Sequence, residues 1–335
     1  MTAETTLRVA VAGGGSWGTA LAHVLASAGH DTTLVLRDEA VAQAVNARHE
    51  NPRYLPGKTV HLGVKASTSP ETLRRINVLV LAVPCQHQRS WLAAMKNVIP
   101  EGCVVVNASK GLENGTSLTM SHVVQEELSA LSPRYAVLSG PSFAAEVMDG
   151  QPTAVVLGCE DEALGTRLRE IFSTSFFRCY SSTDVTGVET GGALKNVMAI
   201  AAGIGDGLGF GSNARAALIT RGLAELSRLG TAMGARPLTF MGLSGLGDLV
   251  LTCTGGLSRN RQVGIRLGRG EKLSDIVASL GMVAEGVKTA VAAHDLAQKL
   301  RVSVPVTEAM CRVLHENADP AEAVRSLMER PLKEE

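Results

Sequence analysis

The sequence predicts an α/β fold, an N-terminal doubly wound sheet followed by an all-α C-terminal domain, and three observations carry that prediction. Short, nearly unbroken runs of Val, Leu and Ile alternate with helical stretches as far as about Val185. Strands buried on both faces of a parallel sheet read this way. From VETGGALKNVMAIAAGI (188–204) onward only helical periods broken by glycine turns remain. The third observation is length. At 335 residues the chain exceeds the roughly 250–300 at which a single hydrophobic core stops growing, so two domains are expected, 1–187 and 188–335.

In chain order, the expected strands are LRVAVA (7–12), TTLVL (32–36), NVLVLAV (77–83), CVVVNA (103–108), YAVLS (135–139) and TAVVLG (153–158). Strand and helix alternating at this spacing make βαβ units and hence a doubly wound sheet. The second domain is expected to contain helices over 213–234, 285–300 and 306–316. Aromatic residues make up only 3% of a chain that is 45% apolar, so the core is built from Ala, Val and Leu, which let helices and sheet pack closely.

Lys plus Arg and Asp plus Glu number 32 each. With no block of like charge there is no nucleic-acid arm, and an anionic ligand must be held by a few placed cations. The six cysteines lack a CxxC pair and the eight histidines form no HExxH or similar cluster. No metal site is expected, and the thiols read as reduced core residues of a cytoplasmic protein. The N-terminus shows no basic segment ahead of a long apolar run, and no apolar stretch reaches the ~18 residues of a bilayer span. Neither export nor membrane insertion is expected.

GGGSWG (13–18) fits G-x-G-x-x-G through Gly13, Gly15 and Gly18. Alone, that pattern also fits an ordinary turn. Here a buried strand precedes it, a helix opens at once with Ser16 and Trp17, and a second strand ends about 20 residues later. That unit is a Rossmann dinucleotide cradle, in which a pyrophosphate meets the unpaired N–H groups of a helix start. Cofactor choice should show in LVLRDEA, at the end of the second strand. Arg37 suits a 2′-phosphate and NADP(H), Asp38 suits a ribose hydroxyl and NAD(H), and a solvated surface pair is the bland alternative. The residues lean to NADP(H), with use of both cofactors.

Ligands of open α/β sheets sit beyond the carboxyl ends of the strands. Three strands there run into polar, glycine-containing or proline-containing segments: VLAVPCQHQ (80–88), VVVNASKGLENG (104–115) and AVLSGPSFAAEV (136–147). Lys110 is the cation of the second, and Gly140, Pro141 and Ser142 make a tight turn whose amides suit an anion. Each turn alone is ordinary loop chemistry; three at one edge point to a ligand. Lys195 and Asn196 lie in a strongly apolar helical stretch, shortly after Gly191 and Gly192. Helices carry paired glycines where something must approach closely, which reads Lys195 as a buried functional amine rather than a snorkelling surface residue. Farther on come Asp248, near a glycine turn, and Ser258, Arg259 and Asn260, an arginine between two hydrogen-bonding side chains that suits a phosphate or carboxylate.

Together GGGSWG, SKGLE, SGPSFAAEV, the block 189–225, GLGDLVLTCT, SRNR and VAEGVKT resemble the bacterial type of NAD(P)-dependent glycerol-3-phosphate dehydrogenase over most of the chain. The 189–225 block and the pairing of LTCT with SRN are far more specific than the glycine fingerprint. The resemblance implies reduction of dihydroxyacetone phosphate to sn-glycerol 3-phosphate with NADH or NADPH, serving phospholipid biosynthesis, by a cytoplasmic homodimer. Carried onto matching positions, it implies that Lys195 is the proton donor and acceptor at the substrate oxygen. It places Lys110, Gly140, Ser142, Asp248, Ser258, Arg259 and Asn260 against substrate. Ser16, Trp17, Arg37, Lys110, Ala144, Arg259, Val283 and Glu285 fall against the nicotinamide cofactor.

The chemistry agrees with that assignment. A hydride arriving at a carbonyl carbon leaves negative charge on oxygen, which needs a cation and a proton. Lys195 supplies both, Lys110 as a second ammonium is expected to push one amine pKa down, and Arg259 anchors the phosphate. Two other readings stay open: a dehydrogenase of the 3-hydroxyacid or 6-phosphogluconate type, which also places a lysine on the first long helix of a helical domain, and a nicotinamide-binding sensor without chemistry.

Overall fold

The computed structural model describes residues 6–280 and 284–331. It divides into two compact units, Met1–Lys110 with Thr119–Val185, and Gly111–Leu118 with Thr186–Glu335. A contiguous split at 187 lacks the Gly111–Leu118 excursion. That segment groups with the second unit because Leu112, 1% exposed, is part of its apolar core.

The first unit runs β1 (Arg8–Ala12), α1 (Ser16–Ser27), β2 (Asp31–Val35), α2 (Glu39–Arg48), β3 (Val64–Ser67), β4 (Val78–Leu81), α3 (Cys85–Met95), β5 (Val104–Asn107), α4 (Met120–Leu128), β6 (Arg134–Ser139), α5 (Ala144–Met148), β7 (Thr153–Gly158), α6 (Glu162–Phe172) and β8 (Phe177–Ser182). Its sheet has the order β3-β2-β1-β4-β5-β6-β7-β8. From β3 through β6 every pairing is parallel, so the chain reverses its winding between β1 and β4, where a doubly wound sheet opens its ligand crevice. Val9, Val11, Leu34, Val80 and Val106 are buried between the sheet and helices such as α1, which contributes Leu21 and Leu25. Each such aliphatic side chain contributes about 1.5–3 kcal/mol by leaving water.

Two strands, β3 and β8, escape a search for continuous apolar runs. VKAS alternates buried Val64 with exposed Lys65, and FRCYSS alternates buried Phe177 and Cys179 with exposed Arg178 and Tyr180. They are the outermost strands of the sheet, and edge strands need an apolar residue only at every second position. The strand TAVVLG also departs from an all-parallel expectation. It runs antiparallel to β6, because the connection carries only the five-residue α5, too short for a crossover helix that would cover a sheet face.

The second unit is helical: α7 (Val185–Gly207), α8 (Ser212–Ala232), α9 (Asp248–Thr254), α10 (Arg259–Gly268), α11 (Leu273–Leu280), α12 (Glu285–Leu300), α13 (Pro305–His315) and α14 (Pro320–Met328). Helix α7 is its axis. Residues 187–204 are buried on every side of it, as expected of a helix that is apolar all round. Helix α13 begins with Pro305, and the buried Glu225 carboxylate of α8 accepts the N–H groups of Val306 (2.6 Å) and Thr307 (3.1 Å) and the Thr307 hydroxyl (3.1 Å). A carboxylate from another helix thus satisfies donors that a helix start leaves unpaired.

Candidate active site

In the first unit the glycine loop joins β1 to α1 at the reversal point of the sheet. Gly13 has φ +116°, a Cβ there would lie 2.6 Å from the Ala82 carbonyl oxygen, and a Cβ on Gly18 would lie 1.9 Å from the Gly13 oxygen. These two glycines are required by the protein's own backbone. Gly15 differs: a Cβ built on it meets nothing within 4 Å. It is also the N-cap of α1, and no side chain caps that helix. An open glycine at an uncapped helix start is where a pyrophosphate fits, with backbone N–H groups and the helix dipole facing it. The residues present fit a dinucleotide.

Buried hydrogen bonds hold this loop to its surroundings. Asn51, fully buried, donates to the Gly14 carbonyl (2.9 Å) and to Thr19 Oγ1 (2.8 Å). The Trp17 indole N–H, placed against the cofactor by the resemblance, donates to the Ala108 carbonyl just beyond β5 (3.2 Å). Arg37 is exposed after β2. Its neighbour Asp38 is engaged elsewhere: its carboxylate caps α2 through Ala40 and Val41 and pairs with Arg53 at 2.8 Å. The Arg53 hydrogen bond is the main cause holding the Asp38 carboxyl below its ordinary pKa. Of the two cofactor determinants weighed from sequence, the cation is the one left for a ligand.

The polar strand ends are tied together. Asn107 at the end of β5 accepts from Gln88 of α3 (3.0 Å) and donates to the Ser109 carbonyl (2.9 Å), while Ser109 Oγ donates to the Val83 carbonyl (2.5 Å). Next along, Lys110 Nζ donates to the Gly140 carbonyl at 3.1 Å, and Ser142 Oγ donates to the same oxygen at 3.0 Å. Gly140 has φ +135°, and a Cβ on it would meet Val155 Cα at 2.9 Å. Lys110, Gly140 and Ser142 therefore form one cluster, and Ala144 begins α5 beside it.

In the second unit Lys195 of α7 is buried and donates to Asp248 Oδ1 of α9 and to Thr252 Oγ1 (2.9 Å). The Lys195 and Asp248 side chains are 9% and 1% exposed. Gly191 explains how a carboxylate reaches that amine. A Cβ there would sit 2.5 Å from the Ser244 carbonyl oxygen, so the glycine lets the backbone leading into α9 press against α7 one turn before Lys195. The close approach signalled by the paired glycines is made by the chain itself. Within the second unit the groups bonded to the amine include a carboxylate and a hydroxyl. A carboxylate beside a buried amine favours its charged form, and Thr252, four residues after Asp248, shares its helix face.

Thr252 was not singled out from the sequence, although D-x-x-x-T on a short helix is a readable spacing. Asn260 Nδ2 donates to Asn196 Oδ1 (3.0 Å), and its Oδ1 accepts from the Gly286 N–H (3.0 Å), next to Glu285 at the start of α12. Ser258 caps α10 by accepting the Arg261 N–H (3.3 Å), and Arg259 is exposed at the first position of that helix. Val283 lies outside the described residues. Cys253, adjacent to Thr252, is no candidate nucleophile: burial pushes its thiol up to about 12.

Residues 8–165 match the model of the NAD-dependent glycerol-3-phosphate dehydrogenase N-terminus, and 184–325 match that of its C-terminus. A glycerol-3-phosphate dehydrogenase of the NAD(P)+ type from Desulfovibrio desulfuricans is 61% identical over 329 residues, 98% of this chain and 99% of that protein. The 2.1 Å crystal structure of glycerol-3-phosphate dehydrogenase from Coxiella burnetii superposes with a TM-score of 0.92 at 40% identity, covering 97% of this chain and 99% of that one. A D-mandelate dehydrogenase with NADH, 12% identical with a TM-score of 0.62, shares the fold alone. With both halves matched in order and high identity sustained along its length, the chain belongs to the NAD-dependent glycerol-3-phosphate dehydrogenase family.

Proposed function

We propose that this protein reduces dihydroxyacetone phosphate to sn-glycerol 3-phosphate, reversibly, with NADH or NADPH held at the glycine loop of the first unit. The observation that carries the chemistry is the buried Lys195, Asp248 and Thr252 cluster. When bound, the nicotinamide supplies the hydride; the protein must supply the proton and stabilise the developing oxyanion. Lys195, kept as an ammonium by Asp248, does both from a dry site where its charge is weakly screened. It gives its Nζ proton to the substrate oxygen in reduction and takes one back in oxidation. Thr252 accepts from Nζ and so fixes where the remaining N–H bonds point. Arg259 is assigned to the phosphate, Asn260 to the substrate beside it, and Lys110 to both substrate and cofactor.

The same reading takes the product to be the entry compound of glycerophospholipid synthesis and the working form to be a cytoplasmic homodimer, following the family's pattern. Oxidation of reduced nicotinamide with dihydroxyacetone phosphate, run beside unphosphorylated dihydroxyacetone, tests the reaction. Turnover that depends on the phosphate ester is expected. No turnover with either substrate would overturn the reading, and size-exclusion chromatography with light scattering checks the dimer.

A further inference from the structure

One buried ionic cluster in the second unit has no part in the chemistry above. Asp206, in the last turn of α7, receives two arginines on its two carboxylate oxygens. Arg215 of α8 donates to Oδ1 through Nε (2.9 Å) and also through Nη2. Arg261 of α10 donates to Oδ2 through Nε (2.7 Å) and approaches it with Nη2 at 2.6 Å. The Asp206 side chain is 9% exposed and that of Arg261 17%. A carboxylate that takes two forked guanidiniums is satisfied and fixed in angle, because each fork permits one orientation.

The surface between α7 and α10 explains why an angle would need fixing. Cβ atoms on Gly203 and Gly207 of α7 would lie 2.1 Å from the Arg261 oxygen and 2.3 Å from the Ile265 oxygen. Cβ atoms on Gly264 and Gly268 of α10 would lie 2.0 Å from the Ile200 oxygen and 2.5 Å from the Ile204 oxygen. Four glycines thus bring two backbones into direct contact, and the contacts advance along both helices together. Ordinary helix packing sets register by seating side-chain ridges in grooves; a seam of glycines has no ridges there and sets distance only. Register falls to polar bonds. Among the described residues, Asn260 to Asn196 and Arg261 to Asp206 are two such bonds.

We propose that Asp206, through Arg261, is a positioning residue for the substrate phosphate: it sets the rotation of α10 on its glycine seam and thereby where Arg259, two residues before Arg261, presents its guanidinium. The inference rests on the assignment of Arg259 to the phosphate.

The test uses the matched variants Arg261→Gln and Arg215→Gln in the full-length protein. Each leaves Asp206 with one guanidinium, but only the first removes the Asp206 tie to α10, leaving Asn260 to Asn196 to hold that helix alone. Arg261→Gln is expected to raise KM for dihydroxyacetone phosphate about tenfold with kcat changed less than about twofold, a loss of binding shared by ground and transition states. Arg215→Gln should leave KM within about twofold of the parent. A merely structural cluster would lower Tm in both variants and leave both KM values alone, which would overturn the proposal. Arg259→Ala separates the two layers. If Arg259→Ala leaves KM for the phosphate ester unchanged, the phosphate assignment fails and the inference falls with it. If Arg259→Ala raises KM, Arg261→Gln should add nothing further in that background. A full additional increase there would overturn the positioning role while leaving the phosphate assignment standing.

Discussion

The glycine loop of the first unit and the lysine cluster of the second are built on opposite plans. The loop offers backbone: an uncapped helix start and an open glycine. The cluster buries charge, with Lys195 locked between Asp248 and Thr252. Backbone donors bind an anion at low cost because they need no ionised side chain to be desolvated. A buried ion pair is expensive to desolvate and adds little stability over apolar packing. Its presence is therefore better explained by proton transfer than by folding.

The largest expected effect follows from that contrast. Lys195→Ala removes proton donor and cation together and should lower kcat about 10²–10⁴-fold, while equilibrium binding of NADPH, followed by fluorescence, stays close to that of the parent. Near-parental turnover would leave the cluster as a structural ion pair. Asp248→Ala strands a buried ammonium, so it should also cost stability, about 3–5 kcal/mol by denaturant titration.

The glycines sharpen the comparison from the other side, because they separate binding from folding within one loop. Gly15→Ala adds a Cβ to open space, so stability should change by less than about 0.5 kcal/mol. Its methyl group stands where a pyrophosphate would approach, and the cofactor KM should rise about 10–100-fold. Gly18→Ala drives a Cβ into the Gly13 carbonyl and should be destabilising by about 1–3 kcal/mol. Thermal melts with and without NADPH distinguish the two patterns. Equal melting temperatures for Gly15→Ala and Gly18→Ala would contradict the division of labour between these glycines.

The same contrast governs how legible each region was in sequence. Strands buried on both faces announce themselves as VAVA, VLVL or VVV, whereas edge strands β3 and β8 carry Lys65, Arg178 and Tyr180 on their outer positions and hide the signal. The glycine loop was readable because its geometry is local: strand, turn and helix within a few residues. Asn51, which holds that loop by its Gly14 carbonyl, had no local signal. Lys195 and Asp248 stand 53 positions apart in the chain, and periodicity does not report which helices meet. The glycine pair signalled a close approach without naming the partner, which is the Ser244 backbone in the case of Gly191. Asp248, expected against substrate, is bonded to the amine, and Thr252 becomes meaningful only once that bond is seen.

A smaller effect is expected at Arg37. Asp38 is occupied by the α2 cap and by Arg53, and the proposed cofactor assignment puts the exposed Arg37 against a 2′-phosphate. Arg37→Ala should raise KM for NADPH about tenfold and leave KM for NADH nearly unchanged, the loss of one charge-assisted contact. A parallel change in both would remove Arg37 from cofactor discrimination and turn attention to Arg53.

The smallest effect concerns a buried carboxyl remote from either cluster in sequence. Burial is the main cause that raises the Glu225 pKa above its ordinary value of 4.5, outweighing the N–H groups of Val306 and Thr307 that oppose it. Because the folded protein holds this proton more tightly than the unfolded chain, the native state gains from protonation. The contribution is fully present below the unfolded pKa and is lost as pH rises through the raised folded value. Glu225→Gln removes the titration while placing an amide against backbone donors, which should cost about 1–3 kcal/mol where the carboxyl is neutral. The stability gap between parent and Glu225→Gln, measured by denaturant titration at a series of pH values, should narrow as pH climbs above 4.5. A gap that widened with pH would mean that the carboxylate, paired with the first N–H groups of α13, is favoured by the fold and that helix-start donors outweigh burial.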